Sequence, residues 1–182
     1  ARIDLKGSQL DNSDEGHFWR SMVEFSAGNE DADVMRGIRS TARIPDAYPR
    51  ALRIPLALHV IEATIRVGDA DRAQEFSENL SAEDLFPKER SKWLYLSGLK
   101  DEVAGDFEAA VGNFELAIAG VDRPSRIFAS VARAELLLEM ERANIMTTIN
   151  SLEKLRFAWR GGQFEFDLLR RLGDLYLSQG GF

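Results

Sequence analysis

Ala104-Gly105-Asp106-Phe107-Glu108-Ala109-Ala110-Val111-Gly112-Asn113-Phe114-Glu115-Leu116-Ala117-Ile118 is the stretch on which the fold turns. Phe107, Ala110, Phe114 and Ala117 recur at intervals of three and four, which places them on one stripe of an α-helix. Ahead of them, Gly105 can take the left-handed conformation that closes a preceding helix. Asp106 can then cap the new helix through its side-chain oxygen and complement its positive end. A link of about two to four residues forces the two helices antiparallel. Small Ala110 and Ala117 let the partner helix approach, while Phe107 and Phe114 fill the space between helix pairs.

The same turn recurs as Val67-Gly68-Asp69-Ala70 and Gln179-Gly180-Gly181-Phe182. Ala73 follows Gly68 by five residues, as Ala110 follows Gly105. Gly68 and Gly105 are 37 residues apart, and Gly105 and Gly180 are 75 apart, about two further periods. A unit without the glycine fits between them, with Glu139-Met140-Glu141-Arg142 as its turn and Ala143 as its small residue. Self-similarity at a fixed period is the signature of stacked repeats.

The order turn glycine, aromatic, alanine, aromatic, alanine over 105–117, with Gly98 seven residues before the turn, resembles the tetratricopeptide repeat. Leu169, Leu172, Gly173, Tyr176, Gly180 and Phe182 likewise match the first half of such a repeat. The resemblance covers roughly residues 48–182 and is strongest over 93–118 and 166–182. It departs at Asp101, where the family has an aromatic or small residue, at Trp93, which needs one extra residue in its helix, and over 125–159, which lacks the turn glycine. What it implies is an all-α fold, a right-handed superhelical stack of antiparallel helix pairs. About nine helices are expected, over 15–27, 31–43, 48–67, 70–80, 88–104, 107–119, 124–139, 143–159 and 163–178. They pair as 15–43, 48–80, 88–119 and 124–159, with a half repeat at 163–182. The array runs over 14–182, and residues 1–13, without periodicity, are expected to be an irregular connector. Pro45, Pro49, Pro87 and Pro124 fall at or just before helix starts, where proline is tolerated. Pro55 does not, and it predicts a late start or a kink in the third helix.

Composition narrows the function. The chain is 45% hydrophobic over 182 residues, enough for a core, and no run of about 20 apolar residues can span a membrane. Cysteine is absent, which removes disulfides, thiolate metal sites and cysteine nucleophiles. The net charge is −7, and the eight acidic against three basic residues in 1–34 carry most of it. An acidic chain gains nothing from counterion release on a phosphate backbone, which disfavours nucleic acid. Both ends read as boundaries within a longer chain. His17 and His59 stand far apart without a carboxylate pattern and read as capping or packed residues. Asp69-Ala70-Asp71 lacks the glycine and closing glutamate of a calcium loop and reads as a cap. No zinc motif, nucleophile elbow or phosphate loop is present. The sequence therefore points to no catalytic residue, no metal and no cofactor.

In the tetratricopeptide family the first helix of each pair lines a concave face that binds peptides or folded proteins. Carried over, the partner-binding candidates are Glu62, Arg66, Lys92, Tyr95, Leu99, Glu102, Phe128, Glu135, Asp167, Arg170 and Asp174. A separate basic cluster, Lys154, Arg156, Arg160, Arg170 and Arg171, is interleaved with Phe157, Trp159, Phe164 and Phe166. It reads first as a solvated face beside core aromatics, next as a docking patch for a carboxylate-rich partner, and last as an RNA surface. The expected function is a protein-interaction scaffold rather than an enzyme, with a structural spacer or self-assembly unit as the alternative. An all-helical enzyme is the remote third. Leu168, Leu169, Leu172, Tyr176 and Leu177 leave one apolar stripe of the last helix uncovered, which predicts a homo-oligomer formed through it.

Overall fold

The computed structural model describes residues 12–29, 31–158 and 162–180. Among these residues the chain is all-helical, 78% helical and without a strand. The order is α1 (Asp14–Ser26), α2 (Ala32–Ser40), a 3-10 turn (Ile44–Ala47), α3 (Arg50–Arg66), α4 (Ala70–Glu78) and a second 3-10 turn (Ala82–Asp84). There follow α5 (Pro87–Val103), α6 (Phe107–Ile118), α7 (Arg123–Glu139), α8 (Ile145–Leu155) and α9 (Gly162–Ser178). The chain divides into two compact units, residues 1–85 and 86–182, and the break falls between the second and third helix pairs expected from sequence.

Most boundaries agree with the periodicity to within two residues, because the caps were readable. Asp69 Oδ1 accepts from the Arg72 amide at 3.2 Å and Asp106 Oδ1 from the Ala109 amide at 3.1 Å. Two helices are shorter than the pattern suggested. The second, expected over 31–43, ends at Ser40, and the chain tightens into the 3-10 turn that carries Pro45 at its start. The eighth, expected over 143–159, begins only after Asn144, whose Oδ1 accepts from the Thr147 amide at 2.8 Å, and it ends at Leu155. Asn144 is the signal that the sequence reading passed over, and Ala143 therefore belongs to the turn. Pro55 lies inside α3, which starts at Arg50 and continues through it; the ring sits on an exposed side of the helix. Of the connector expected at 1–13, residues 1–11 lie outside the described residues.

The turn without a glycine closes in the same way as those with one. Gly68, Gly105 and Gly180 have φ of 76°, 80° and 68°, and Glu141 takes φ 57°, alone among the described non-glycine residues in that region. Left-handed backbone costs an L-residue about 1–2 kcal/mol, so the antiparallel geometry there is held by packing rather than by local preference.

In the first unit, Phe18, Met22 and Phe25 of α1 pack with Met35 and Ile38 of α2 and with Leu56, Val60 and Ala63 of α3. Trp19 Nε1 donates to the Tyr48 hydroxyl at 2.9 Å, and that hydroxyl donates to Glu15. In the second unit, the stripe read from sequence is the core of the α5–α6–α7 packing. Ala110, Phe114 and Ala117 are fully buried together with Ala129 and Leu136 of α7. A Cβ at Gly98 of α5 would lie 2.4 Å from the Phe114 ring, so that glycine is the seat of the phenyl group. Asp101, the residue that departs from the family pattern, is buried and accepts from Asn113 Nδ2 at 2.7 Å, tying α5 to α6. A second cluster joins Ala134 of α7, Ile149 and Leu152 of α8, and Leu168, Leu172 and Leu175 of α9.

Candidate protein-interaction face

Within the second unit, the helices α5, α7 and α9 bring their aromatic residues into one row. The Tyr95 and Phe128 ring centroids are 5.9 Å apart, and those of Phe128 and Phe164 are 4.9 Å apart, edge to face. Tyr95 also reaches the buried Phe114, at 6.3 Å. All three ring residues of the row are only half-buried. About two helical turns further along the same helices lie Glu102, Glu135 and Arg171. Arg171 Nε donates to Glu135 Oε1 at 2.9 Å, bridging α9 to α7. Burial, helped by the nearby charges of Glu139 and Glu135, holds the Glu102 carboxyl above its ordinary range.

Between α7 and α9 the surface sinks into a depression of about 420 Å³. It is lined by Val131, Glu135, Phe164, Asp167, Leu168, Arg170, Arg171 and Asp174. Four of the residues proposed from sequence as partner-binding, Glu135, Asp167, Arg170 and Asp174, thus line one depression. Tyr95 and Phe128 join them through the aromatic row, and Glu102 through its carboxylate neighbours. Leu99 is half-buried and packs against the α5–α6–α7 core, and Lys92 lies one turn before Tyr95. Glu62 and Arg66 belong to the first unit. There they pair with each other at 2.9 Å, and the Arg66 guanidinium lies 5.1 Å above the Phe25 ring.

The basic residues are less gathered than their spacing suggested. Arg156 pairs with Glu153 at 3.6 Å and stacks on the exposed Phe157. Lys154 lines a different depression, with Ser130, Arg133 and Thr147. Arg170 and Arg171 face α7 across the first depression, and Arg160 lies outside the described residues, as does Trp159. His17 is exposed and accepts at Nδ1 from Arg20 at 3.2 Å, while His59 Nδ1 lies 2.9 Å from the Pro55 carbonyl. Neither caps a helix. Sequence reasoning missed Phe164 and Glu139 as members of the face. The signal was present: Phe128 follows Tyr95 by 33 residues and Phe164 follows Phe128 by 36, and Glu135 and Arg171 follow Glu102 by the same steps.

On the other side of α9, Leu169, Tyr176 and Leu177 are 43%, 40% and 58% exposed, beside the uncovered Gly173. Among the described residues no helix is long and apolar enough to cross a membrane, and no three acidic or histidine side chains are placed to hold a metal ion. Comparison with protein-family models, with curated proteins and with solved structures found no match to this chain.

Proposed function

We propose that residues 86–182 form a tetratricopeptide-like stack whose α5, α7 and α9 face binds a polypeptide partner, a scaffold role rather than catalysis. The observation that carries this reading is the half-buried aromatic row continued into a charged depression. Rings already ordered by their neighbours offer apolar area at little entropic cost to a ligand. Three further features support the repeat arrangement: left-handed turns at regular intervals, the Phe114 ring seated on Gly98, and α5 packed against both α6 and α7. The test is affinity capture followed by mass spectrometry with the wild-type chain, Phe128→Ala, and Leu116→Ala, which alters an exposed leucine on α6. A partner retained by wild type and Leu116→Ala but lost from Phe128→Ala is the expected result. Equal capture by all three would place binding elsewhere.

The uncovered face of α9 favours a second reading, self-association through that helix. Sedimentation over a range of concentrations separates the two. A strict monomer that still captures a partner supports the first reading alone, whereas a Leu177→Ser-sensitive dimer supports the second.

A further inference from the structure

The outer surface of α9 is apolar over most of its length and carries one couple of opposite charges. Phe166, Arg170, Gly173 and Leu177 follow one another at steps of four and three residues, which puts them on a single line of the helix. Leu169 and Tyr176 flank that line on one side and Asp174 on the other. Phe166, Leu169, Tyr176 and Leu177 are 61%, 43%, 40% and 58% exposed. The Tyr176 ring is held in place by its hydroxyl, which donates to Glu153 of α8 at 3.3 Å. Arg170 and Asp174 are exposed and four residues apart, a spacing at which opposite charges commonly pair. Arg171 beside them is bound to Glu135, but among the described residues neither Arg170 nor Asp174 forms an ion pair.

We infer that this surface binds a second copy of itself, the two α9 helices lying antiparallel about a two-fold axis that passes between Arg171 and Leu172. The inference rests on the self-association reading above and gives it a geometry. About that axis Phe166 faces the partner's Leu177, and Leu169 falls within one residue of the partner's Tyr176. The Arg170 side chain crosses the partner's Gly173, where nothing stands within 4 Å of an added Cβ, and reaches the partner's Asp174. Symmetry makes every contact twice. A parallel arrangement would instead set Arg170 beside the partner's Arg170 and Asp174 beside the partner's Asp174, and like charges repel. The charge couple thus fixes the direction of the pair. Residues 86–182 hold 13 basic and 14 acidic side chains, so little net repulsion opposes association. One helix face is small beside the roughly 1,200 Å² of a stable interface. The chain is therefore a monomer when dilute and pairs as its concentration rises.

Sedimentation velocity from about 10 µM to about 1 mM tests this on wild type, Arg170→Asp, Asp174→Arg and the exchanged Arg170→Asp/Asp174→Arg. Both positions are exposed, and circular dichroism establishes that each protein is folded. Either single change sets like charges face to face at both symmetric contacts and weakens association about 10-fold. The double exchange puts opposite charges back across the axis and restores association to the wild-type level. Its net charge equals that of wild type, which separates pairing from a general charge effect. Equal association of all four proteins, or a double variant as weak as the singles, overturns the antiparallel register. In that case a dimer still lost in Leu177→Ser keeps self-association through α9 standing without it. A wild-type monomer at every concentration overturns the register and the self-association reading together.

Discussion

Gly98 and Gly173 occupy the same sequence frame, each seven residues before a left-handed glycine, yet they meet different surroundings. On α5, a Cβ at Gly98 would strike the Phe114 ring at 2.4 Å, while at Gly173 of α9 nothing lies within 4 Å. The inner faces of the two helices are alike: Leu96 is fully buried, as Leu168, Leu172 and Leu175 nearly are. The outer faces are not, because α6 covers α5 and the Leu169–Tyr176 side of α9 is uncovered. The difference teaches what the small residue of the motif records. On α5 it records close approach by a neighbouring helix, and on α9 no described residue makes that approach. Substitutions that add atoms should therefore be costly on α5–α6 and harmless on α9.

The largest effect is expected at Ala110. It is fully buried where α6 meets its neighbours, and Ala110→Leu adds three carbons to a filled space, costing about 1–3 kcal/mol. Ala119→Leu, at the exposed C-cap of the same helix, should stay within about 0.5 kcal/mol of wild type. Equal shifts in the urea midpoint would break the assignment of the buried stripe. The matched pair at the two glycines comes next. Gly98→Ala should destabilise by about 1–2 kcal/mol, since the ring it displaces is itself walled in by Ala110 and Tyr95. Gly173→Ala should stabilise by up to about 1 kcal/mol through helix propensity alone. Thermal melts of the two variants side by side decide it, and a loss at both positions would mean that α9 is covered after all.

How much of this was legible in the sequence follows from what each residue is asked to do. Helix starts were visible where Asp69 and Asp106 cap, because capping needs only a local side chain. The burial of Phe114 was visible because a stripe at intervals of three and four admits one inner face. The shortened eighth helix was missed although Asn144 announces it, since Ala143 was given the role of the small residue that follows a turn glycine. The basic cluster reads as one patch along the chain, yet Lys154 and Arg170 line different depressions, because neighbours in sequence on different helices need not share a surface. The face itself was half legible. Candidates on α5 and α7 came from the repeat resemblance, but that Arg171 would satisfy Glu135 and leave Glu102 facing carboxylates is a tertiary outcome with no local signature.

Glu141 offers a smaller test of the same contrast between local preference and packing. At the glycine turns the backbone takes positive φ without steric cost, whereas Glu141 is driven to φ 57°. Glu141→Gly removes the clash of Cβ with the backbone but adds freedom to the unfolded chain. The net expectation is stabilisation by about 0.5 kcal/mol, read as a small rise in Tm. A fall would show that the Glu141 side chain contributes more than its backbone costs.

The smallest expected effect is at Glu102, and its sign separates a carboxylate that anchors the fold from one that the fold tolerates. Burial first, then the charges of Glu139 and Glu135, raise its pKa above the ordinary value of 4.5. A carboxyl whose pKa is higher in the folded than in the unfolded state stabilises the fold when protonated, and that contribution is lost as pH rises through the folded value. Wild type should therefore lose stability relative to Glu102→Gln on passing from about pH 4 to neutrality. At pH 7 the variant should melt slightly higher, by an amount worth less than about 0.5 kcal/mol because the half-buried side chain is screened by solvent. Below the ordinary glutamate range the two should converge. The difference between the two Tm–pH curves isolates residue 102. A variant that is less stable at pH 7 would make Glu102 a structural anchor. A variant that is more stable at neutral pH shows a carboxylate whose charge the fold tolerates at a cost.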